Sequence, residues 1–586
     1  ELERGEDGYW SGTLPGAGIG HRYGFLLDDD PKPYPDPASR FQPDGPHGLS
    51  ALVDPSTFQW DDEAWHGVPE DGRVVYEMHI GTFTPEGTWA AAAARLPALA
   101  ELGVSVLEVM PVSEFSGAFG WGYDGVDLYA PTRLYGTPDD MRHFVRRAHA
   151  LGLGVILDVV YNHFGPDGNY HEQYAKAYFT DRYENEWGKP LNFDGPDSGP
   201  VREFFITNAR YWIEEFRLDG LRLDATQQIF DASPRHILAE ITQAVRRAGK
   251  GRRTYVVGEN EPQDTTLVRP PAEGGFGLDA LWNDDFHHSA MVALTGRSEA
   301  YYSDYGGTAQ EFVSAAKYGF LYQGQFYGWQ KQGRGSATFD LPPRCFVTFF
   351  QNHDQVANSA TGQRIHQLAS PGDFRAMTAF WLLAPGTPML FQGQEWGASS
   401  PFHYFADHEP GLAEAVAHGR KEFLEQFNSI ATPEMRERLP HPAARETFEA
   451  CKLDHGERER DEHARILALH RDLLKLRRDD PALCHQGKDR RMDGAVLSGE
   501  AFGLRFFGPR PRQDRLLLVN LDRDLRLEPM PEPLLAPPAG CAWEMLWTSE
   551  DPRYGGAGSP PPPPDAPWML PGRTALLLAP SENHEK

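Results

Sequence analysis

Arg222 and Asp224 stand two residues apart in the run 216–226, where Leu218, Leu221 and Leu223 supply apolar bulk and Gly220 permits close backbone approach. On an extended strand, residues two apart leave the same face, so this guanidinium and carboxylate lie side by side. Such a neighbour keeps a carboxylate ionised and fixes its orientation, as a carboxylate nucleophile requires. A structural ion pair at a strand end would look the same from this run alone. Other reactive residues occupy comparable places. Asp158 closes an apolar run and is followed by Asn162 and His163, Glu259 closes a second, and a third leads into Asn352-His353-Asp354-Gln355.

Carboxylates that repel one another cost stability, and chains keep that cost mainly where function needs it. Gathered carboxylates suit glycoside chemistry, in which one attacks or supports an oxocarbenium-like carbon while another protonates the leaving oxygen. His163 and His353 beside acids would also suit a metal, but no HExxH or HxH spacing accompanies them. Carbohydrate is the better reading.

The elements that must position these residues are legible around them. From Val74 the pattern is strand, loop, helix, repeated. Candidate strands are 74–79, 104–110, 154–160, 218–224, 255–259, 278–282, 345–350 and 388–392, with helical patterns at 88–102, 138–151, 201–216 and 234–248 between them. Eight near-continuously apolar strands alternating with helices predict parallel strands buried on both faces, closed into a (β/α)8 TIM barrel. An open doubly wound sheet is the alternative, disfavoured because no GxGxxG follows the first strand. Chemistry in such a barrel sits at the C-terminal strand ends, where these acids fall.

The flanks differ from the barrel. Residues 1–70, rich in Gly, Pro and Asp with short aromatic runs, read as a small N-terminal β-sandwich and linker, short enough to suggest truncation. Residues 71–486 are the catalytic barrel, with long irregular insertions at 161–200 and 284–344. A helix at 464–478 closes it, and 487–586 read as a C-terminal β-sandwich interrupted by Pro560–Pro564.

Composition narrows the function classes. Net charge of -28 over 586 residues argues against a nucleic-acid or anionic membrane partner. Four scattered cysteines form no CxxC pair, so neither a disulfide framework nor a zinc site is expected. The acidic start carries no signal peptide and no initiating Met, so preceding residues and a cytoplasmic location are expected. No apolar run is long enough to span a bilayer.

At these residues the chain resembles the α-amylase family, glycoside hydrolase family 13. Four of its short regions stand in order: Asp158-Val159-Val160-Tyr161-Asn162-His163, Gly220 to Ala225, Val257-Gly258-Glu259-Asn260, and Phe349-Phe350-Gln351-Asn352-His353-Asp354. A fifth, Gly120-Trp121-Gly122-Tyr123-Asp124, is similar to the loop whose Tyr stacks on the innermost sugar. The resemblance implies Asp224 as nucleophile, Glu259 as proton donor and Asp354 as transition-state stabiliser. It implies a sugar clamp drawn from Tyr123, Asp158, His163, Arg222 and His353, and a retaining double displacement.

The segments Tyr76-Glu77-Met78-His79-Ile80-Gly81-Thr82-Phe83, Trp282-Asn283-Asp284-Asp285-Phe286-His287-His288 and Phe402 to His408 are similar to the trehalose-releasing branch of that family. That likeness implies maltooligosyltrehalose as substrate and trehalose and a maltooligosaccharide as products. It adds Asn283, Asp284, Asp285, His287, Gln355, Asn358 and Glu395 as substrate-binding candidates, although Glu395 would equally suit a structural corner. Two departures stand out. Relatives more often carry Ala before the acid and Asp or Ser after it, so Glu261 competes with Glu259. Many amylases bind calcium near the counterpart of Asn162, but the loop after His163 shows no oxygen-ligand cluster, so no metal or cofactor is expected. A glycogen branching or debranching enzyme, and a catalytically silent carbohydrate-binding relative, are the alternatives.

Overall fold

The computed structural model describes residues 2–6, 8–484, 487, 491–561 and 568–582. Its centre is a closed barrel of eight parallel strands in chain order: β1 (Val75–Met78), β2 (Val106–Val109), β3 (Gly154–Val159), β4 (Gly220–Leu223), β5 (Tyr255–Gly258), β6 (Ala280–Trp282), β7 (Phe346–Thr348) and β8 (Thr387–Phe391). All eight expected strands form. Helices α1 (Trp89–Leu102), α2 (Pro138–Ala150), α3 (Ser198–Glu215) and α4 (Ile237–Ala248) connect them. Local sequence sets their ends. Thr88 caps α1 by accepting from Ala91 N, and Gly103, at φ 106°, ends it. Thr137 and Asp140 close a capping box around Pro138 at the start of α2.

Alternation along the strands sorts the barrel interior into layers. Val75, Val106, Ile156, Tyr255, Val257, Ala280, Val347 and Met389 form one apolar interior cluster. Two residues further along, β1 to β4 place Glu77, Glu108, Asp158 and Arg222, all buried and in register across adjacent strands (Glu77 with Glu108, Asp158 with Arg222). A polar layer therefore sits above an apolar plug. Gly220 is required in this packing: a Cβ there would lie 1.7 Å from the Tyr255 carbonyl oxygen.

The segment 284–344 is more regular than its composition suggests. It contains α5 (Asp284–Thr295) and α6 (Ala309–Tyr318). Asn283 accepts from Phe286 N to cap α5, and Thr308 with Glu311 forms the capping box of α6. Its Asn, Asp and Thr residues are helix starts, which composition cannot tell from loop. The segment 161–200 stays largely irregular, with one short helix at His171–Tyr174 before α3. After β7 comes the short α7 (His353–Ala357), then α8 (Pro371–Leu383); α9 (Asp461–Asp479) is the closing helix.

The N-terminal expectation needs correction. Three separate two-stranded ladders form (Glu3–Arg4 with Trp10–Ser11, Arg22–Tyr23 with Ser50–Ala51, Phe25–Leu26 with Pro33–Tyr34), and no two-layered sandwich arises among the described residues. Two-residue strands with mostly exposed side chains supply no apolar face to stack. The C-terminal region is all-β as expected. Five antiparallel strands run in the order Met492–Val496, Ala501–Phe506, Arg515–Asn520, Thr574–Glu582, Cys541–Thr548. Phe502, Leu504, Leu517, Val519 and Leu577 face the barrel core, while Leu516, Leu518, Leu576 and Leu578 pack beneath the ladder Leu525–Arg526/Met569–Leu570. Of the run Pro560–Pro564, residues 562–564 lie outside the described residues. Among the described residues no helix is long and apolar enough to cross a membrane.

Candidate active site

Arg222 is the hub of the barrel mouth. It is fully buried and its guanidinium lies 4.1 Å from the centroid of the Trp282 ring. Nη1 donates to Asp158 Oδ2 and to Asp224 Oδ1, both at 2.7 Å, and Nη2 stands 2.9 Å from Glu259 Oε2. One cation thus faces three carboxyl groups from β3, β4 and β5. Asp224 Oδ2 accepts a further hydrogen bond from Asn162 Nδ2 at 2.9 Å. Both its oxygens are therefore held, and the side chain is 13% exposed at the mouth.

Glu259 sits differently. Its Oε2 accepts from the Ala225 N–H at 2.8 Å, and its main-chain oxygen accepts from Thr226 N and Thr226 Oγ1. Ala225 reaches it by taking φ 38°, a left-handed conformation that an alanine holds only under constraint. Burial, the leading cause, with Asp224 and Asp354 adding to it and Arg222 opposing, pushes the Glu259 carboxyl up to about 8. Glu259 therefore keeps its proton at neutral pH. Asp158, deeper in the wall, is raised to about 6, mainly by burial, against the pull of Arg222.

The third acid comes from α7. Asp354 is 42% exposed, with Oδ2 3.4 Å from His353 Nε2. His353 is stacked against Tyr123 (centroids 5.2 Å, interplanar 25°) and meets Trp121 edge-on at 5.0 Å. Tyr123 donates through its hydroxyl to Asp158 Oδ2 at 2.6 Å, which leaves the half-buried ring fixed at the cleft. His163 hydrogen-bonds the Asn162 side-chain oxygen through Nδ1; burial lowers its pKa, partly offset by Asp224 and Asp124.

The two competing acids separate here. Glu259 contacts Arg222, whereas Glu261 is exposed and accepts from Gln330 Nε2 at 2.5 Å. Among the described residues no group of three or more His, Cys, Asp or Glu could hold a metal ion. Removing Arg222 should leave buried carboxyls without their cation. We expect Arg222→Met to lower stability by about 3–5 kcal/mol, measured as the shift in urea unfolding.

A family model described as the alpha amylase catalytic domain matches residues 54–191, and one for a domain of unknown function, DUF3459, matches residues 489–579. A malto-oligosyltrehalose trehalohydrolase from Deinococcus radiodurans is 44% identical over 525 residues, spanning 89% of this chain and 83% of that protein. The chain belongs to the malto-oligosyltrehalose trehalohydrolase family. Another member, from Saccharolobus solfataricus, is 40% identical over 487 residues, covering 83% of this chain and 82% of its own length. A Salmonella typhimurium crystal structure, provisionally assigned as an alpha amylase, matches with a TM-score of 0.86 at 36% identity, covering 99% of this chain and 94% of that one.

Several residues expected on the sugar face of a trehalohydrolase site lie inside its wall. Asn283 is fully buried, capping α5 and donating to Gly319 O at 3.1 Å. Asp285, also fully buried, accepts from Tyr305 Oη and from the N–H groups of Leu321 and Tyr322. His287 bonds Phe350 O and Tyr302 Oη. Glu395 accepts from Tyr76 Oη at 3.1 Å, fastening the turn after β8 to β1. Asp158 is 3% exposed and holds Tyr123 and Arg222 in place of a sugar. Asn283, Asp285, His287 and Glu395 share one reason: their side-chain hydrogen bonds go to protein groups behind the cleft, whereas Asp158 uses only Oδ2 in this way and its Oδ1 has no hydrogen-bond partner among the described residues. Asp284 differs, being 18% exposed beside Arg334 and raised to about 6, chiefly by burial. Gln355 accepts from Tyr301 and Tyr302, and with Asn358 it lines a cavity of about 140 Å³ whose walls include none of the three acids. Sequence reasoning passed over Asn162 as a partner of Asp224 and Ala225 as a donor to Glu259. Asn162 stood in the quoted motif, but the backbone turn at Ala225 leaves no mark in composition.

Proposed function

We propose that this chain is a retaining glycoside hydrolase that cleaves the α-1,4-glucosidic bond next to the terminal trehalose of maltooligosyltrehalose, releasing trehalose and a maltooligosaccharide. The observation that carries the chemistry is that one guanidinium binds both Asp224 and Glu259, and that burial drives Glu259 to hold a proton. Two carboxyls on one guanidinium suit the separation of about 5–5.5 Å that goes with retention. The family relationship carries the choice of substrate.

In this reading Glu259 protonates the glycosidic oxygen of the departing trehalose as an Asp224 oxygen closes on the anomeric carbon. A covalent glycosyl-Asp224 ester forms with inverted configuration. Glu259, now a carboxylate, takes a proton from water, which attacks the same carbon and restores the α-configuration. Asp354 and His353 hold the hydroxyls of the distorted sugar, and Tyr123 offers its ring to the apolar face. Asp284, His163 and Arg222 complete the polar surround.

Incubation with maltooligosyltrehalose, plain maltooligosaccharides and glycogen tests the substrate. Free trehalose should accumulate from the first; no trehalose together with new α-1,6 branches would overturn the reading. The acid assignment has its own check. Glu261→Gln should keep substantial activity because Glu261 stands apart from Arg222, and a dead Glu261→Gln enzyme would move the proton-donor role to that residue.

A further inference from the structure

Two carboxyls in the barrel interior have no part in the chemistry above. Glu77 on β1 and Glu108 on β2 are register neighbours, each 1% exposed. Their surroundings differ. Both oxygens of Glu77 accept from one residue: Oε1 lies 2.5 Å from His353 Nδ1, and Oε2 accepts from the His353 main-chain N–H at 3.2 Å. Among the described residues neither oxygen of Glu108 has a hydrogen-bond partner, and burial, reinforced by the charge of Glu77, raises its pKa well above the usual carboxylate range. Glu108 is thus held neutral, because burying its charged form without a partner would cost far more than burying the acid.

We propose that Glu77 is a positioning residue for this hydrolysis: it grips His353 from inside the barrel by ring and main chain, so that Nε2 is presented to Asp354 and the sugar as a donor. The inference rests on the functional reading given above. The main-chain bond falls at the first residue of α7, so the same carboxylate also anchors the helix that carries Asp354. Tyr123 packs against one face of the ring and Trp121 meets it edge-on. Burial disfavours charge on His353, but Asp354 and Glu77 outweigh burial and Arg222 and hold its pKa up to about 9. The other titratable groups packed around it are Glu108, Asp158, Tyr123 and His79, the last lowered to about 4 mainly by burial. A doubly protonated ring donates at both nitrogens, which suits Glu77 on one side and Asp354 on the other.

Glu77→Gln keeps the shape but loses the charge. It should lower kcat on the order of a hundredfold, as a small misplacement of a clamping group does, while KM and the thermal midpoint change little. The alkaline limb of activity, set by Glu259 in the unmodified protein, should move to lower pH because His353 then loses its proton first. Histidine-labelled NMR of the resting protein, with His353 assigned by substitution, should show its titration midpoint lowered in Glu77→Gln. In a His353→Ala background the same change should cost little more, since both act through one group. Glu108→Gln, which replaces a neutral acid by a neutral amide, should leave kcat and the limb in place. An unmoved His353 titration, fully additive losses, or a Glu108→Gln enzyme as slow as Glu77→Gln would overturn the inference. Absence of trehalose from the unmodified protein would instead sink the substrate reading, because the His353 titration is read without substrate.

Discussion

Asp224→Ala is expected to lower turnover by several orders of magnitude with the fold intact. Each factor of ten corresponds to about 1.4 kcal/mol of barrier, and the substitution removes the covalent intermediate itself. Charge explains why the fold should survive. Arg222 loses one of three carboxyl partners and keeps Asp158 and Glu259, and Asn162 loses one hydrogen bond at a partly exposed mouth. Activity and the urea midpoint should therefore separate: the first collapses and the second moves by no more than about 1 kcal/mol. An enzyme that unfolded in proportion to its loss of rate would show that Asp224 serves the barrel rather than the reaction.

Glu259→Gln should cost roughly 10²–10⁴-fold on a natural glucan, the usual contribution of a general acid. The loss should depend on the leaving group. With a glycosyl fluoride, which departs without protonation, formation of the Asp224 ester should be nearly unaffected and the second half-reaction should become limiting. The pH profile carries a further signature. Because the folded environment raises Glu259 to about 8, the acid is protonated at neutral pH and is lost as pH rises through that value. Unmodified enzyme should fall along an alkaline limb near there. Glu259→Gln should show its residual activity without that limb. Equal loss on fluoride and glucan, or a limb that persists in the variant, would argue for a different acid.

Much of the fold was legible because burial on both faces writes itself into sequence as apolar runs. The eight barrel strands were visible as such runs. Their acids stood out because several such runs end in one, and gathered carboxylates repel one another at a cost in stability. What stayed hidden was direction. Asn283, Asp284 and Asp285 read alike in a polar turn, yet Asn283 caps α5, Asp285 binds loop amides and Asp284 alone of the three keeps some exposure, beside Arg334. Glu77 and Glu108 were hidden inside strands taken as apolar, since an inward-facing layer of carboxyls follows from barrel closure and not from any local pattern. Ala225 depends on a backbone angle that a small residue neither requires nor forbids. The N-terminal ladders failed as a sandwich because turn residues predict where strands stop, not whether enough apolar surface remains to stack them.

Cleavage next to the terminal trehalose with retention is one proposal, and time-resolved ¹H NMR of maltooligosyltrehalose cleavage reads its substrate and its stereochemical course at once. Trehalose should appear together with a maltooligosaccharide whose new reducing end is first α and only later mutarotates to the β form. A β-anomer at the earliest times, or cleavage that yields no trehalose, would contradict it.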